Sequence, residues 1–162
     1  AEKSILTSYL KMDYEKHLKE ALVIKNIDTY GNAINVVPKM CSVVLGLNSP
    51  KIAINDLIEN LKNIIKQTDF EIDIYKIDDQ EIKLTSYGTP SHSAHPELGI
   101  NAISRLLIVV AKLFKTYEIK IELLDFFEKY LSIQYHGENL GIDFEDESRK
   151  TDFKCWRFLF KK

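Results

Sequence analysis

The four histidines of the chain, at positions 17, 92, 95 and 136, are the side chains best suited to acid–base or metal chemistry. A catalytic zinc site is usually marked by two closely spaced ligands, as in H-x-D, H-E-x-x-H or C-x-x-C, and no such pair occurs. His92 and His95 form only an isolated H-x-x-H. The motifs of serine nucleophiles, phosphate-binding loops and dinucleotide sites are also absent. The sequence therefore contains no complete catalytic apparatus.

One segment, residues 88–102 (GTPSHSAHPELGINA), concentrates small and polar side chains between a predicted strand and a predicted helix. Loops held between rigid elements are where binding residues concentrate, so His92 is a candidate functional residue. The same pattern also fits an ordinary helix start, with Asn101 or Gly99 as the cap and Pro96 near the first turn. The residues alone leave both interpretations open.

The same segment resembles the lid-domain signature G-x-x-[AS]-H-[AGS]-[AS]-x-P-x-x-G-x-N-A of the aminoacylase and carnosinase type of zinc-dependent exopeptidases. Residues 30–38 (YGNAINVVP) are similar to the G-x-x-x-N-x-V-P element of that family, with Asn35 at the asparagine position. Residues 137–142, followed by Asp146 and Glu147, are similar to a segment of the PepV-like dipeptidases. The order of the three stretches matches the PepV-like branch, and the resemblance covers about residues 20–147.

This resemblance implies a role for the chain within a larger metallopeptidase, a hydrolase that cleaves dipeptides. Residues 20–147 would be a lid domain that closes over two zinc ions held in a separate catalytic domain. His92 would be the catalytic residue of the lid, stabilising the oxyanion, and Asn35 would bind substrate. No metal ligand and no cofactor is expected in this chain, and the chain alone is expected to be inactive. Its expected partners are the dipeptide, its own catalytic domain and a second copy paired through an exposed sheet edge.

The chain also departs from the family pattern. The H-x-D, the bridging aspartate, the Glu-Glu pair and the distant histidine of the catalytic domain are missing, and no R-x-P element supplies the lid arginine. Residues 148–162 do not continue the family pattern, so we interpret them as an atypical tail, truncated or disrupted in frame. Residues 1–19 are interpreted as an extended leading segment, because their apolar residues follow no sustained period.

Hydrophobic periodicity predicts the element order β-β-α-β-β-α-α. The predicted strands lie near residues 20–27, 36–45, 70–75 and 82–85, and the predicted helices near 54–65, 103–114 and 119–134. Helices grouped with short antiparallel strands are typical of an α+β domain. We expect an antiparallel sheet of about four strands with two or three helices on one face, a ferredoxin-like lid.

Composition excludes several partner classes. The 22 basic and 24 acidic residues give a net charge of −2, which does not favour nucleic acid as a partner. The longest apolar run, residues 106–111, is too short to cross a membrane, and no secretory leader is recognised. Cys41 and Cys155 are far apart and suggest no disulfide framework, so we expect a soluble cytoplasmic protein.

Two other function classes stay open at this point. A non-catalytic, ferredoxin-like binding or regulatory module fits the composition and the periodicity equally well. A complete small metalloenzyme would require His92, His95 and His136 to converge with a carboxylate. The lid interpretation, in contrast, requires His92 to be exposed and to share an open surface with Asn35.

Overall fold

The computed structural model describes residues 17–30, 33 and 35–143, and these form a four-stranded antiparallel sheet with three helices. The predicted α+β class is confirmed. The tail assigned to residues 148–162, and most of the segment 1–19, lie outside the described residues. The elements are β1 (Leu22–Tyr30), β2 (Met40–Leu47), α1 (Ile54–Lys66), β3 (Ile72–Lys76), β4 (Glu81–Tyr87), α2 (Ala102–Thr116) and α3 (Glu122–Phe126), which a π-helical turn (Phe127–Leu131) extends.

The strands lie in the order β1-β2-β4-β3, and every neighbouring pair is antiparallel. From β2 onwards the chain follows the β-α-β-β-α course of a ferredoxin-like domain, and β1 occupies the position of its last strand. Met40 at the start of β2 lies opposite both Tyr30 and Tyr87, the last residues of β1 and β4. The β1–β2 connection and the β4–α2 connection therefore leave the same end of the sheet.

Alternation of side chains along the strands separates a buried face from an open face. Ile82 and Leu84 of β4 are fully buried, whereas Lys83 between them is only partly buried. Helix α2 packs on β2 and β4, and α1 and α3 contact α2, so the apolar core lies between the sheet and the helices. Among the described residues, no helix is both long and apolar enough to cross a membrane.

Three of the differences from the predicted element boundaries have a clear physical cause. Strand β1 continues to Tyr30, because residues 28–30 pair with β2 instead of forming the predicted turn. Strand β2 begins at Met40 and not near residue 36, since Pro38 has no N–H and the residues before Met40 bond to the β4–α2 loop. The last helix ends at Leu131 and not at Gln134, because Ser132 has a φ of 34° and the Gln134 side chain bonds to the carbonyl of Leu131.

Candidate functional site

The segment that contains Asn35 and the segment that contains His92 are joined by a short antiparallel bridge, in which Val36 lies opposite His92. In such a bridge the side chains of the two opposed residues lie on the same side and close together. The bridge brings the two resemblance motifs, which are 57 positions apart, into direct backbone contact. Its two hydrogen bonds run from Val37 N–H to the Ser91 carbonyl at 2.9 Å and from Ser93 N–H to the Asn35 carbonyl at 2.8 Å.

Further backbone hydrogen bonds fix this bridge to the sheet and to helix α2. Thr89 and Ile100 pair with each other, which closes residues 89–100 into a loop at its base. The β1–β2 connection accepts hydrogen bonds from both ends of that loop. These bonds run from Gly88 N–H to the Lys39 carbonyl at 2.9 Å and from Ala102 N–H to the Pro38 carbonyl at 3.1 Å. Backbone on several sides thus restrains the loop.

Two glycines allow the close backbone approach that this arrangement needs. A Cβ atom at Gly88 would overlap the Ile100 carbonyl oxygen and would lie 3.0 Å from the Ala102 nitrogen. A Cβ atom at Gly99 would overlap the Ser91 hydroxyl and would lie 3.0 Å from the Thr89 carbonyl oxygen. The atoms around Gly88 all belong to backbone and cannot rotate away, whereas Gly99 faces the Ser91 side chain as well as backbone. Both glycines therefore have a structural role in the loop.

The start of helix α2 is capped by Asn101. Its side-chain oxygen accepts hydrogen bonds from the N–H groups of Ile103 at 3.0 Å and Ser104 at 3.3 Å. This confirms the interpretation of Asn101 as an N-cap. The cap fixes the point at which the loop enters the helix, so it helps to position the loop that carries His92.

His92 is exposed to solvent, although its backbone is fixed on both sides. Its carbonyl accepts a hydrogen bond from His95 N–H at 2.9 Å, which closes a turn. Within that turn its ring nitrogen Nδ1 accepts a hydrogen bond from Ala94 N–H at 3.1 Å. The other ring nitrogen, Nε2, lies on the part of the ring away from this anchor. The structure therefore presents an imidazole that is accessible and also oriented by main chain.

Asn35 is also exposed and lies directly before Val36, the partner of His92 in the bridge. Its carbonyl accepts a hydrogen bond from Ser93 N–H, so its backbone has a fixed position at the rim of the loop. The structure thus brings Asn35 and His92 to the same exposed end of the sheet. A carboxamide and an imidazole there offer donors and acceptors to a polar ligand without a permanent charge.

The remaining histidines do not combine with His92 into a metal centre. His95 Nδ1 lies 3.3 Å from Glu97 Oε1, and both side chains are about half exposed. In the part of the chain that the structure describes, no group of three or more His, Cys, Asp or Glu side chains is arranged to hold a metal ion. The described residues therefore do not fit a zinc site, and His92, His95 and His136 form no such group with a carboxylate of that part of the chain.

A small open cleft, which the sequence pattern did not predict, lies beside the loop. Its apolar wall includes Ile133 and Tyr135, which are 48% and 37% exposed, and Arg105 lies at its edge. Arg105 stacks on the Phe70 ring, and its guanidinium donates hydrogen bonds to the main-chain carbonyl and the side-chain carboxylate of Asp69. Two features of the sequence could have indicated this cleft. Arg105 is an arginine in a chain whose basic residues are nearly all lysine, and Ile133 and Tyr135 are apolar residues beyond the end of the last helix. The lining is Val37, Pro96, Ile100, Asn101, Ser104, Arg105, Ile133, Gln134 and Tyr135.

No model of a known protein family matches the chain. The chain is 28% identical over 95 residues to a protein of Staphylococcus haemolyticus (strain JCSC1435) named "Putative dipeptidase SH1171". The matched region is 55% of this chain but only 20% of that protein. This similarity supports a relationship to the dipeptidases, and so to the broader class of peptidases, which are hydrolases.

Proposed function

We propose that the chain is the lid-domain part of a zinc-dependent dipeptidase, in which His92 and Asn35 act on a dipeptide held by a separate catalytic domain. The observation that carries this proposal is the Val36–His92 bridge, which joins the two motif segments at one exposed end of the sheet. The similarity to a protein named as a dipeptidase supports the same reaction class. The lid is then a rigid platform for two polar groups that reach a substrate outside the domain.

His92 would donate a ring N–H to the oxygen of the scissile carbonyl as negative charge develops there. A donor contributes most to catalysis when it is already oriented before the reaction, since no reorganisation is then needed in the transition state. The backbone bonds around His92 and the anchor at its Nδ1 provide this orientation. Loss of a comparable oxyanion donor typically lowers kcat by about 100-fold to 1,000-fold.

Asn35 would hold the dipeptide by its backbone or its carboxylate. A neutral carboxamide can form these hydrogen bonds without the desolvation cost of a buried charge. The exposed position of Asn35 beside the bridge agrees with such a contact. Because the contact exists in both the ground state and the transition state, its loss should act mainly on KM.

In this proposal the metal ions belong to the catalytic domain, as the resemblance implies, and no group of the described residues is arranged to hold one. When bound there, zinc supplies Lewis-acid polarisation of the carbonyl and an activated water. The residues of this chain would contribute only hydrogen bonding, orientation of the substrate and exclusion of water. We therefore predict that the purified 162-residue chain hydrolyses no dipeptide, with or without added zinc. Zinc-dependent hydrolysis by the chain alone would contradict the assignment.

The experiment that tests the proposal begins with the coding sequence on both sides of this chain. We expect an H-x-D segment and a Glu-Glu pair upstream in the same reading frame. In the enzyme encoded by that frame, His92→Gln should lower kcat by about 100-fold or more, as expected for an oxyanion donor. Asn35→Ala should mainly raise KM. A frame without these metal-site elements, or a His92→Gln enzyme with unchanged kcat, would refute the proposal.

His95→Gln is the matched control for the kinetic experiment. His95 lies in the same loop, is exposed and contacts Glu97, so its substitution perturbs the local surface to a similar extent. We expect a kcat within a few-fold of the unaltered enzyme. An equal loss of kcat in both variants would show that the loop, and not the His92 imidazole, is the sensitive feature.

A further inference from the structure

We infer that the main-chain N–H of Ala94 is a positioning group for His92, and that it selects the tautomer in which the imidazole proton resides on Nε2. The catalytic meaning of this inference depends on the function proposed above. The tautomer itself is a property of the chain alone. The two claims can therefore fail independently.

The contact between Ala94 and His92 allows only one assignment of donor and acceptor. A backbone N–H can only donate, so His92 Nδ1, at 3.1 Å from the Ala94 nitrogen, must present its lone pair. In a neutral imidazole one nitrogen carries the proton and the other accepts. The proton of neutral His92 is therefore on Nε2, the nitrogen that the loop leaves unanchored. A doubly protonated ring has no lone pair at Nδ1 and loses this bond.

The position of Ala94 is itself fixed by the turn between residues 92 and 95. The carbonyl of His92 accepts His95 N–H, and Ser93 N–H is bonded to Asn35 in the bridge. The N–H at position 94 is thus directed at the His92 ring by the bonds before and after it. For an exposed side chain, such an anchor reduces the number of accessible rotamers and aligns the remaining N–H for a ligand.

His95, the second histidine of the H-x-x-H pair, lies beside a hydrogen-bond acceptor, whereas the partner of His92 is a donor. His95 Nδ1 lies 3.3 Å from a carboxylate oxygen of Glu97, and a carboxylate can only accept. The proton shared in that contact must come from Nδ1 of His95. The two histidines are therefore expected to differ in the protonation of Nδ1. This contrast gives an internal reference within a single loop.

The test is nitrogen NMR spectroscopy of the 15N-labelled 162-residue chain, at a pH where the imidazoles are neutral. We expect His92 to show a protonated Nε2 and an unprotonated Nδ1. We also expect a coupling across the hydrogen bond between Nδ1 and the Ala94 amide nitrogen. The coupling is decisive, because a tautomer can arise from several causes whereas the coupling requires this bond. A protonated Nδ1 at His92, or no coupling to Ala94, would overturn the inference.

Three variants provide controls. Ala94→Gly keeps the N–H and should keep the coupling, whereas Ala94→Pro removes the donor and should let the two tautomers of His92 mix. Glu97→Ala should change the His95 signals and leave those of His92 unchanged. If Ala94→Pro does not fold, the coupling in the unaltered chain and in Ala94→Gly still decides the question. An intact coupling together with an unchanged kcat for His92→Gln in the full-length enzyme would refute the catalytic role only.

Discussion

Gly88→Ala should destabilise the domain strongly, because it places a methyl group where the two ends of the β4–α2 connection meet. The nearest atoms are the Ile100 carbonyl oxygen and the Ala102 nitrogen, and the nitrogen would be 3.0 Å from the new Cβ. Both belong to backbone that is already hydrogen-bonded, to Thr89 and to Pro38. Relief of the overlap would therefore break at least one of the bonds that hold the His92 loop.

The expected size follows from this packing. Insertion of a methylene or methyl group into a well-packed site costs about 1–3 kcal/mol, and immovable backbone on the far side favours the upper end. With a urea m-value of about 2 kcal/mol/M, a loss of about 3 kcal/mol lowers the unfolding midpoint by about 1.5 M. Urea unfolding of the purified chain, followed by circular dichroism, measures this shift.

Gly46→Ala is the matched control, because it makes the same chemical change at another glycine, in strand β2. There the atoms nearest to the new Cβ all belong to the side chain of Lys25, which can rotate away at the expense of its partly exposed ion pair with Glu81. Such pairs contribute about 0–1 kcal/mol, so we expect a midpoint shift below about 0.5 M. Equal midpoints for Gly88→Ala and Gly46→Ala would refute the argument that backbone contact makes Gly88 necessary.

Two further predictions concern the helix cap and a titrating pair on the open face of the sheet. Asn101→Ala removes both cap bonds and should cost about 1 kcal/mol in urea unfolding, whereas Asn101→Asp should cost less. The hydrogen bond to Asp73, with a smaller contribution from desolvation, raises the pKa of Tyr87 above its usual 10.0. The stabilisation from this pair is complete below about pH 10 and disappears as the pH rises through the pKa of Tyr87 in the folded protein. Because the hydrogen bond to Asp73 is the main cause of the shift, Asp73→Asn should lower the pKa of Tyr87 in an NMR titration.

The elements that could be predicted from sequence are those whose signal is local. Helix α1 was predicted within about one residue, because Ile54, Leu57 and Leu61 repeat at helical spacing and form its buried face. The alternation in β4 likewise marks one buried and one partly exposed face. Such patterns depend only on which side of an element meets the core.

The features that escaped prediction depend on contacts between distant segments. The start of β2 was misplaced because Val36 and Val37 are apolar and β-branched, yet residues 37–39 bond to the β4–α2 connection and not to a regular strand. The cleft formed with Ile133 and Tyr135 likewise requires three separate segments. The resemblance named Asn35 and His92 individually, but nothing in the sequence showed that a backbone bridge joins their segments.

The central claim is that His92 meets the reacting carbonyl of a dipeptide held by another domain. The most direct measurement is a crystal structure of the full-length enzyme with a phosphinic dipeptide analogue, which mimics the tetrahedral transition state. We predict that His92 Nε2 lies about 2.7–3.1 Å from a phosphinate oxygen, the distance expected of an oxyanion donor. A closed complex in which the His92 ring makes no hydrogen bond to the analogue would contradict the claim.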